Sequence, residues 1–257
     1  TGFMLDVDLR LPSGGVTVLF GVSGCGKTTV LRSAAGLEKA QGYVRIAGQV
    51  WQDDEKHLFV PTYKRRIGYV FQEASLFDHL NVRENLRFGL KRISDEDGEK
   101  RLDDAVELLG IGHLLERRTS ELSGGERQRC AIARSLAIKP TALFMDEPLA
   151  ALDHARRLEI VPWIDRLKKE LNLPILYVTH SEEEVMRLAD RLAVIDNGKL
   201  IDNGPVAETW LHLMQKKGRK ASRLLLVMGT VEERDSAWSL MKVVSGAMHL
   251  SLIHISE

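Results

Sequence analysis

Eight consecutive residues constrain this chain more than any others: Gly21-Val22-Ser23-Gly24-Cys25-Gly26-Lys27-Thr28. They fit the pattern G-x-x-x-x-G-K-[ST], and their neighbours supply the context that gives the pattern meaning. Before them runs Val16-Thr17-Val18-Leu19-Phe20, a continuous apolar stretch of the kind a doubly buried parallel strand needs. After them Thr29 to Ala35 has helical spacing and stops at Gly36. Glycines let such a loop curl until its N–H groups converge on phosphate oxygens. The helix that begins at Lys27 adds the positive end of its dipole. Lys27 is then the cation for the outer phosphates, and the Thr28 hydroxyl is placed to reach a Mg²⁺ ion. Gly21, Ser23, Gly24, Cys25, Gly26, Lys27, Thr28 and Thr29 are the candidate phosphate ligands. Cys25 contributes its backbone and is a small filler rather than a nucleophile.

The rest of the chain alternates strands with helices. Leu5-Asp6-Val7-Asp8-Leu9 alternates as a strand does, and Gly42–Val50 is strand-like with a turn at Gly48. Arg66–Phe71, Ala142–Met145 and Ile175–Thr179 are further strands. Leu192–Asp196 and Lys199–Asp202 flank Asn197-Gly198, a type I′ hairpin signal. Asn81 with Glu84, Ser123 with Glu126 and Ser181 with Glu184 have capping-box spacing and open helices. Leu102–Leu109 has helical spacing, whereas Arg92 to Lys100 is charged and loop-like. Pro162 inside a helical pattern predicts two helices or a kink. This order predicts an α/β fold with a mainly parallel sheet.

A second acidic site ends one of those strands. Ala142-Leu143-Phe144-Met145 runs into Asp146-Glu147, and open α/β sheets bind ligands at the carboxyl ends of strands. Asp146 can hold Mg²⁺ and Glu147 can polarise an attacking water. Kinases and GTPases built on a phosphate loop share this much, so the loop and the carboxylates alone leave the nucleotide class open.

Composition narrows the field from another side. The 257 residues carry 36 Lys+Arg and 36 Asp+Glu, a net charge of zero, so there is no broad basic footprint for nucleic acid. No run approaches the ~18–20 apolar residues of a membrane span, Leu224–Met228 being far too short. If the chain works at a membrane, a partner does the spanning. Two Cys make no disulfide framework, and a reducing compartment fits best. The start, Thr1-Gly2-Phe3-Met4, has no secretory signal pattern.

The class is decided by Leu122-Ser123-Gly124-Gly125-Glu126-Arg127-Gln128. As physics it is a capped helix start with two glycines that leave N–H groups bare, a second anion site without catalytic groups of its own. It resembles the signature motif of ATP-binding cassette (ABC) proteins. That resemblance implies a P-loop ABC ATPase cassette with a parallel core sheet, an antiparallel β subdomain and a helical signature subdomain. It implies ATP and Mg²⁺ as ligands. It casts Gln72 as the Q-loop residue that senses Mg²⁺ and the transport domain, Asp153 in Ala151-Leu152-Asp153 as the D-loop, and His180 as the switch histidine at the γ-phosphate. Glu147, His180 and Gln72 become the catalytic set; Thr28, Gln72 and Asp146 the metal set. Ser123, Gly124, Gly125, Glu126 and Asp153 contact ATP held by a second copy of the chain, paired head-to-tail. The aromatic that stacks on adenine is not evident, Phe3 being a weak candidate.

Within the family the likeness is to ATP-binding subunits of bacterial molybdate importers. It is carried by Phe20–Gly24, Lys64–Phe77, Val82–Gly89 and Pro174–Ser181. It implies membrane permease subunits docked at the Q-loop region, an indirect link to a periplasmic substrate-binding protein, no nucleic acid, and a peripheral position on the cytoplasmic face of the inner membrane. Tungstate is the other cargo this likeness allows, and sulfate, iron and polyamine importers use the same engine. A non-transport ABC ATPase would carry a second cassette or long insertions, and none is visible. The expected layout is an ATPase domain over 1–210, a linker and the start of a truncated domain over 211–244, and a non-native or disordered tail over 245–257. Lys216–Lys220 reads as a solvated linker.

Overall fold

The apolar run before the glycine loop forms β1 (Gly15–Phe20), all but its first residue buried. The computed structural model describes residues 4–90, 97–216, 230–235, 240–245 and 248–254. It divides into two units, Thr1–Val206 and Ala207–Glu257.

In the first unit, β1 lies inside a six-stranded sheet with β5 (Ile67–Val70), β6 (Ala142–Asp146), β7 (Pro174–Thr179), β8 (Arg191–Asp196) and β9 (Lys199–Pro205). The strand order is β5-β6-β7-β1-β8-β9, parallel throughout except for β9, which returns antiparallel beside β8. Asn197 and Gly198 both have positive φ, 47° and 77°, as the predicted type I′ turn requires. α1 (Lys27–Ala35) packs on β6 and β7. Its Val30, Leu31 and Ala35 join Leu19, Ala142, Phe144, Leu176 and Val178 in one buried cluster. Trp51 closes that cluster from a small antiparallel sheet of β2 (Tyr43–Ile46), β3 (Gln49–Asp53) and β4 (Leu58–Phe59).

The helical part holds α2 (Val82–Arg87), α3 (Gly98–Leu108) and α4 (Gly124–Ala137), with α2 and α3 both packed on α4. The capping boxes expected at Asn81–Glu84 and Ser123–Glu126 are formed, and the Ser181 side chain caps α6 (Glu182–Leu188). α4 approaches β5 closely because Gly68 has no side chain: a Cβ there would stand 2.8 Å from Leu143 Cδ1 and 2.9 Å from the Ser135 carbonyl.

Two local expectations change, and a third is narrowed. Leu5–Leu9 forms no strand, only a single bridge from Asp6 to Lys199, although Leu5, Val7, Leu9 and Leu11 do pack by alternation on the core. The apolar period is met by burial on one side, while the backbone beside it offers one partner rather than a ladder. α3 begins at Gly98, inside the stretch expected as loop; residues 91–96 lie outside the described residues. Of the two outcomes expected at Pro162, the separate helices are not found: it lies within one helix, α5 (His154–Glu170). It is on the exposed side of that helix.

In the second unit, α7 (Val206–Lys216) begins at the unit boundary. β10 (Thr230–Asp235), β11 (Leu240–Ser245) and β12 (Met248–His254) form an antiparallel sheet in that order. The expected tail therefore contains a strand at Met248–His254. The linker Lys216–Lys220 falls almost wholly, and Phe3 entirely, outside the described residues.

Candidate functional site

Because β6, β7 and β1 are parallel neighbours, the segments leaving their carboxyl ends emerge side by side. These segments carry Asp146-Glu147, His180 and the glycine loop. β5, on the far side of β6, leads to Gln72, which is exposed.

The loop gets its shape from Gly24 and Gly26, at φ 79° and 108°. Gly26 is the N-cap of α1 and brings no side-chain cap, so the first-turn N–H groups at Lys27, Thr28 and Thr29 carry none. Cys25 is buried, and its carbonyl accepts from Gly198 N at 2.9 Å, which ties the loop to the β8–β9 turn. Ser23 and Gly24 are exposed on the loop.

Lys27 is 3% exposed. Its ammonium donates to the carbonyls of Gly21 (2.9 Å) and Val22 (3.0 Å) and stands 4.0 Å from Glu147 Oε1. The other oxygen of Glu147 lies 3.1 Å from His180 Nδ1. Glu147 has φ 43°, in the left-handed region that a glutamate enters at a cost of about 1–2 kcal/mol. Its own N–H is tied to Val178 O at 3.1 Å, so the neighbouring strand holds the residue in that conformation. Lysine, glutamate and histidine thus come from three strand ends into one line.

Asp146 is held from both sides. Thr28 Oγ1 donates to Oδ1 at 2.7 Å, and Tyr69 OH donates to Oδ2 at 3.0 Å. Burial, then the charge of Asp146, push the Tyr69 phenol far above its ordinary range, so it stays a donor. Hydroxyl and carboxylate oxygens together suit a hard cation such as Mg²⁺. Among the described residues no cluster of three or more His, Cys, Asp or Glu could hold a metal by itself. Tyr69 was not foreseen. In sequence it is one more apolar strand residue, and only the pairing Tyr69↔Phe144 brings its hydroxyl alongside Asp146.

The remaining predicted residues gather at two helix starts. Ser123 N donates to Glu126 Oε2 at 2.7 Å, and Glu126 N donates to Ser123 Oγ at 3.2 Å. The backbone bond from Ser123 holds the Glu126 carboxyl below its ordinary range. Asp153 caps α5, accepting from Arg156 N at 3.0 Å. A Cβ on Gly124 would stand 2.8 Å from Leu152 Cδ2, so the glycine lets the start of α4 lie directly on the segment leading to Asp153. Ser123, Gly124, Gly125, Glu126 and Asp153 form one patch, with hydrogen bonds turned inward to their own caps.

A phosphate loop joined to a carboxylate pair, on a parallel sheet with antiparallel and helical additions, defines a P-loop nucleotide-binding domain. Residues 4–150 match the family described as ABC transporter. The chain is 54% identical over 245 residues to the molybdenum import ATP-binding protein ModC of Thiobacillus denitrificans, covering 94% of this chain and 67% of that one. It is 56% identical to ModC of Methylococcus capsulatus (94% and 67%) and 50% identical to ModC of Pseudomonas aeruginosa (98% and 71%). Among solved structures it is similar to cbiO1 of Clostridium perfringens, part of the ABC transporter complex cbiONQ. There the TM-score is 0.69 at 30% identity, over 81% of this chain and 84% of that one. It is also similar to an ATP-binding cassette seen as a dimer in a post-hydrolysis state with ADP and Pi, at TM-score 0.64 and 27% identity (78% and 89%). The chain belongs to the ABC transporter family.

Proposed function

We propose that this chain is the ATP-binding and hydrolysing subunit of an importer for molybdate, acting as a pair of identical copies. The observation that carries the hydrolytic part is the line Lys27–Glu147–His180 beside the Thr28–Asp146 pair, on neighbouring strand ends. The molybdate assignment rests on relatives 50–56% identical that are named for molybdenum import.

In this reading the N–H groups of the Gly21–Thr29 loop and the Lys27 ammonium hold the phosphates of ATP. Thr28, Asp146 and Gln72 hold Mg²⁺, which when bound offsets the charge of the β- and γ-phosphates. Glu147 accepts a proton from water as the water oxygen bonds to the γ-phosphorus and the bond to the β–γ bridging oxygen breaks, giving ADP and phosphate. His180, within 3.1 Å of Glu147, orients that carboxylate and faces the γ-phosphate. Ser123, Gly124, Gly125, Glu126 and Asp153 close over the ATP of the partner copy, so neither copy is complete alone. Binding and loss of nucleotide close and reopen the pair, and this motion drives permease subunits docked near Gln72. Among the described residues no helix is long and apolar enough to cross a membrane, which suits a subunit held at the cytoplasmic face of the inner membrane by its permease. A periplasmic binding protein would deliver the oxyanion to that permease.

Two variants test the site. Lys27→Ala should lose nucleotide binding, and Glu147→Gln should bind ATP, stop turning over and accumulate as a dimer. Wild-type hydrolysis by Glu147→Gln would remove Glu147 from its role. For the substrate, the chain reconstituted with its permease and binding protein should hydrolyse ATP faster with molybdate than with sulfate. Equal stimulation by both overturns the assignment.

A further inference from the structure

We infer that Tyr69 is a positioning residue for the cation site: its hydroxyl fixes the Asp146 carboxylate so that one oxygen stays beside Thr28. This rests on the reading of Thr28 and Asp146 as Mg²⁺ ligands given above. The division of the carboxylate is the central observation. Thr28 Oγ1 takes Oδ1 at 2.7 Å, and the Tyr69 phenol takes Oδ2 at 3.0 Å. With one donor alone, a carboxylate can rotate about its last torsion, which is broad and soft. With a donor on each oxygen, from a helix on one side and a neighbouring strand on the other, that rotation is closed.

The tyrosine is itself held. β5 pairs with β6 so that Tyr69 lies opposite Phe144, two residues before Asp146 on the same face of the sheet. Its ring packs on Phe71 at 4.4 Å between centroids and meets Phe144 edge-on at 6.5 Å. These contacts aim the hydroxyl along the strand toward the carboxyl end, where Asp146 lies. A phenylalanine would keep every ring contact and lose only the donor. Hydrogen-bond partners of metal ligands commonly carry about a tenfold or larger share of metal affinity. Binding of the phosphates without metal depends on the loop N–H groups and Lys27, whereas the Tyr69 hydroxyl is given to Asp146 and its ring packs on Phe71 and Phe144.

The test separates these two affinities. Mn²⁺, replacing Mg²⁺, is titrated into the protein–ADP complex and followed by electron paramagnetic resonance, while ADP affinity is measured separately in EDTA. Tyr69→Phe should weaken Mn²⁺ binding by roughly tenfold and leave metal-free ADP affinity within about twofold, with an unchanged circular dichroism spectrum. Tyr69→Leu, which also lacks the hydroxyl, should show the same metal defect. Wild-type Mn²⁺ affinity in folded Tyr69→Phe overturns the inference. So does an equal loss of ADP affinity in EDTA, which would mark a general structural role. Lys27→Ala tested alongside distinguishes the two levels: if it keeps ADP binding in EDTA, the phosphate-site reading fails first, whatever Tyr69 does.

Discussion

Gly21 is the residue at which fold and site are most tightly joined, and replacing it by alanine tests that joint. A Cβ at this position would press into the carbonyl oxygen of Ile195 and stand 2.7 Å from Cys25 Sγ. The Ile195 oxygen belongs to the backbone of β8, a strand buried within the sheet, and cannot swing aside as a long side chain could. The glycine loop must therefore move instead. Overpacking of this kind costs about 1–3 kcal/mol, and a backbone clash belongs at the upper end. For a unit of this size about 3 kcal/mol lowers the unfolding temperature by roughly 6–12 °C. The same movement pulls the Gly21 carbonyl away from the Lys27 ammonium that it accepts at 2.9 Å. Losing even one charge-assisted bond to phosphate weakens nucleotide binding by about tenfold or more. Calorimetric unfolding and titration with ADP measure the two effects. Gly24→Ala is the informative comparison, because nothing lies within 4 Å of its Cβ and only its φ of 79° is at issue. It should cost about 1–2 kcal/mol through backbone strain alone. If Gly21→Ala melts and binds like the wild type, the close approach of loop and β8 is wrong, and with it the account of how the loop is held.

Tyr177 is fully buried and donates to Glu184 Oε2 at 2.8 Å, with Glu184 only 5% exposed. Tyr177→Phe should lower stability in urea unfolding by about 2–3 kcal/mol, since it leaves a buried carboxylate oxygen without its donor; a neutral result would contradict the buried 2.8 Å bond between the two side chains. The capping box of α4 should be acid-sensitive. The Glu126 carboxyl titrates lower in the folded chain than in the unfolded one, so its contribution is complete above the ordinary glutamate pKa of about 4.3 and is lost as pH falls through the lowered folded value. Comparing wild type with Glu126→Gln by thermal unfolding should show a difference at neutral pH that shrinks below about pH 4; a difference independent of pH would contradict the sign.

Much of the architecture was legible because it is local. Glycines at 24 and 26, Asn197-Gly198 and the three polar caps are short-range devices whose geometry needs few neighbours, and each forms as its residues require. The apolar strands were legible because a run buried on both faces leaves little other choice. Where the reading failed, a neighbour decided. The alternation of Leu5–Leu9 describes which side is buried, but a strand also needs an adjacent edge, and among the described residues Lys199 is its one bridge partner.

The candidate site divides along the same line. Lys27, Thr28, Asp146 and Glu147 announce themselves because each side chain is out of character for its setting: a lysine in a glycine turn, two acids at the end of an apolar strand. Tyr69 and Tyr177 do not, because an aromatic in a strand is in character and its hydroxyl is silent until lateral register is known. That register is β5 on β6 for one and the turn from β7 into α6 for the other. Both hydroxyls then find carboxylates, Asp146 and Glu184, one inside the site and the other in the first turn of the helix that follows His180. A tyrosine in a strand next to an acidic strand end is thus the residue worth testing for a hidden donor. Sequence pattern alone gives it the same weight as a phenylalanine, and the sheet distinguishes the two by a single 3.0 Å contact.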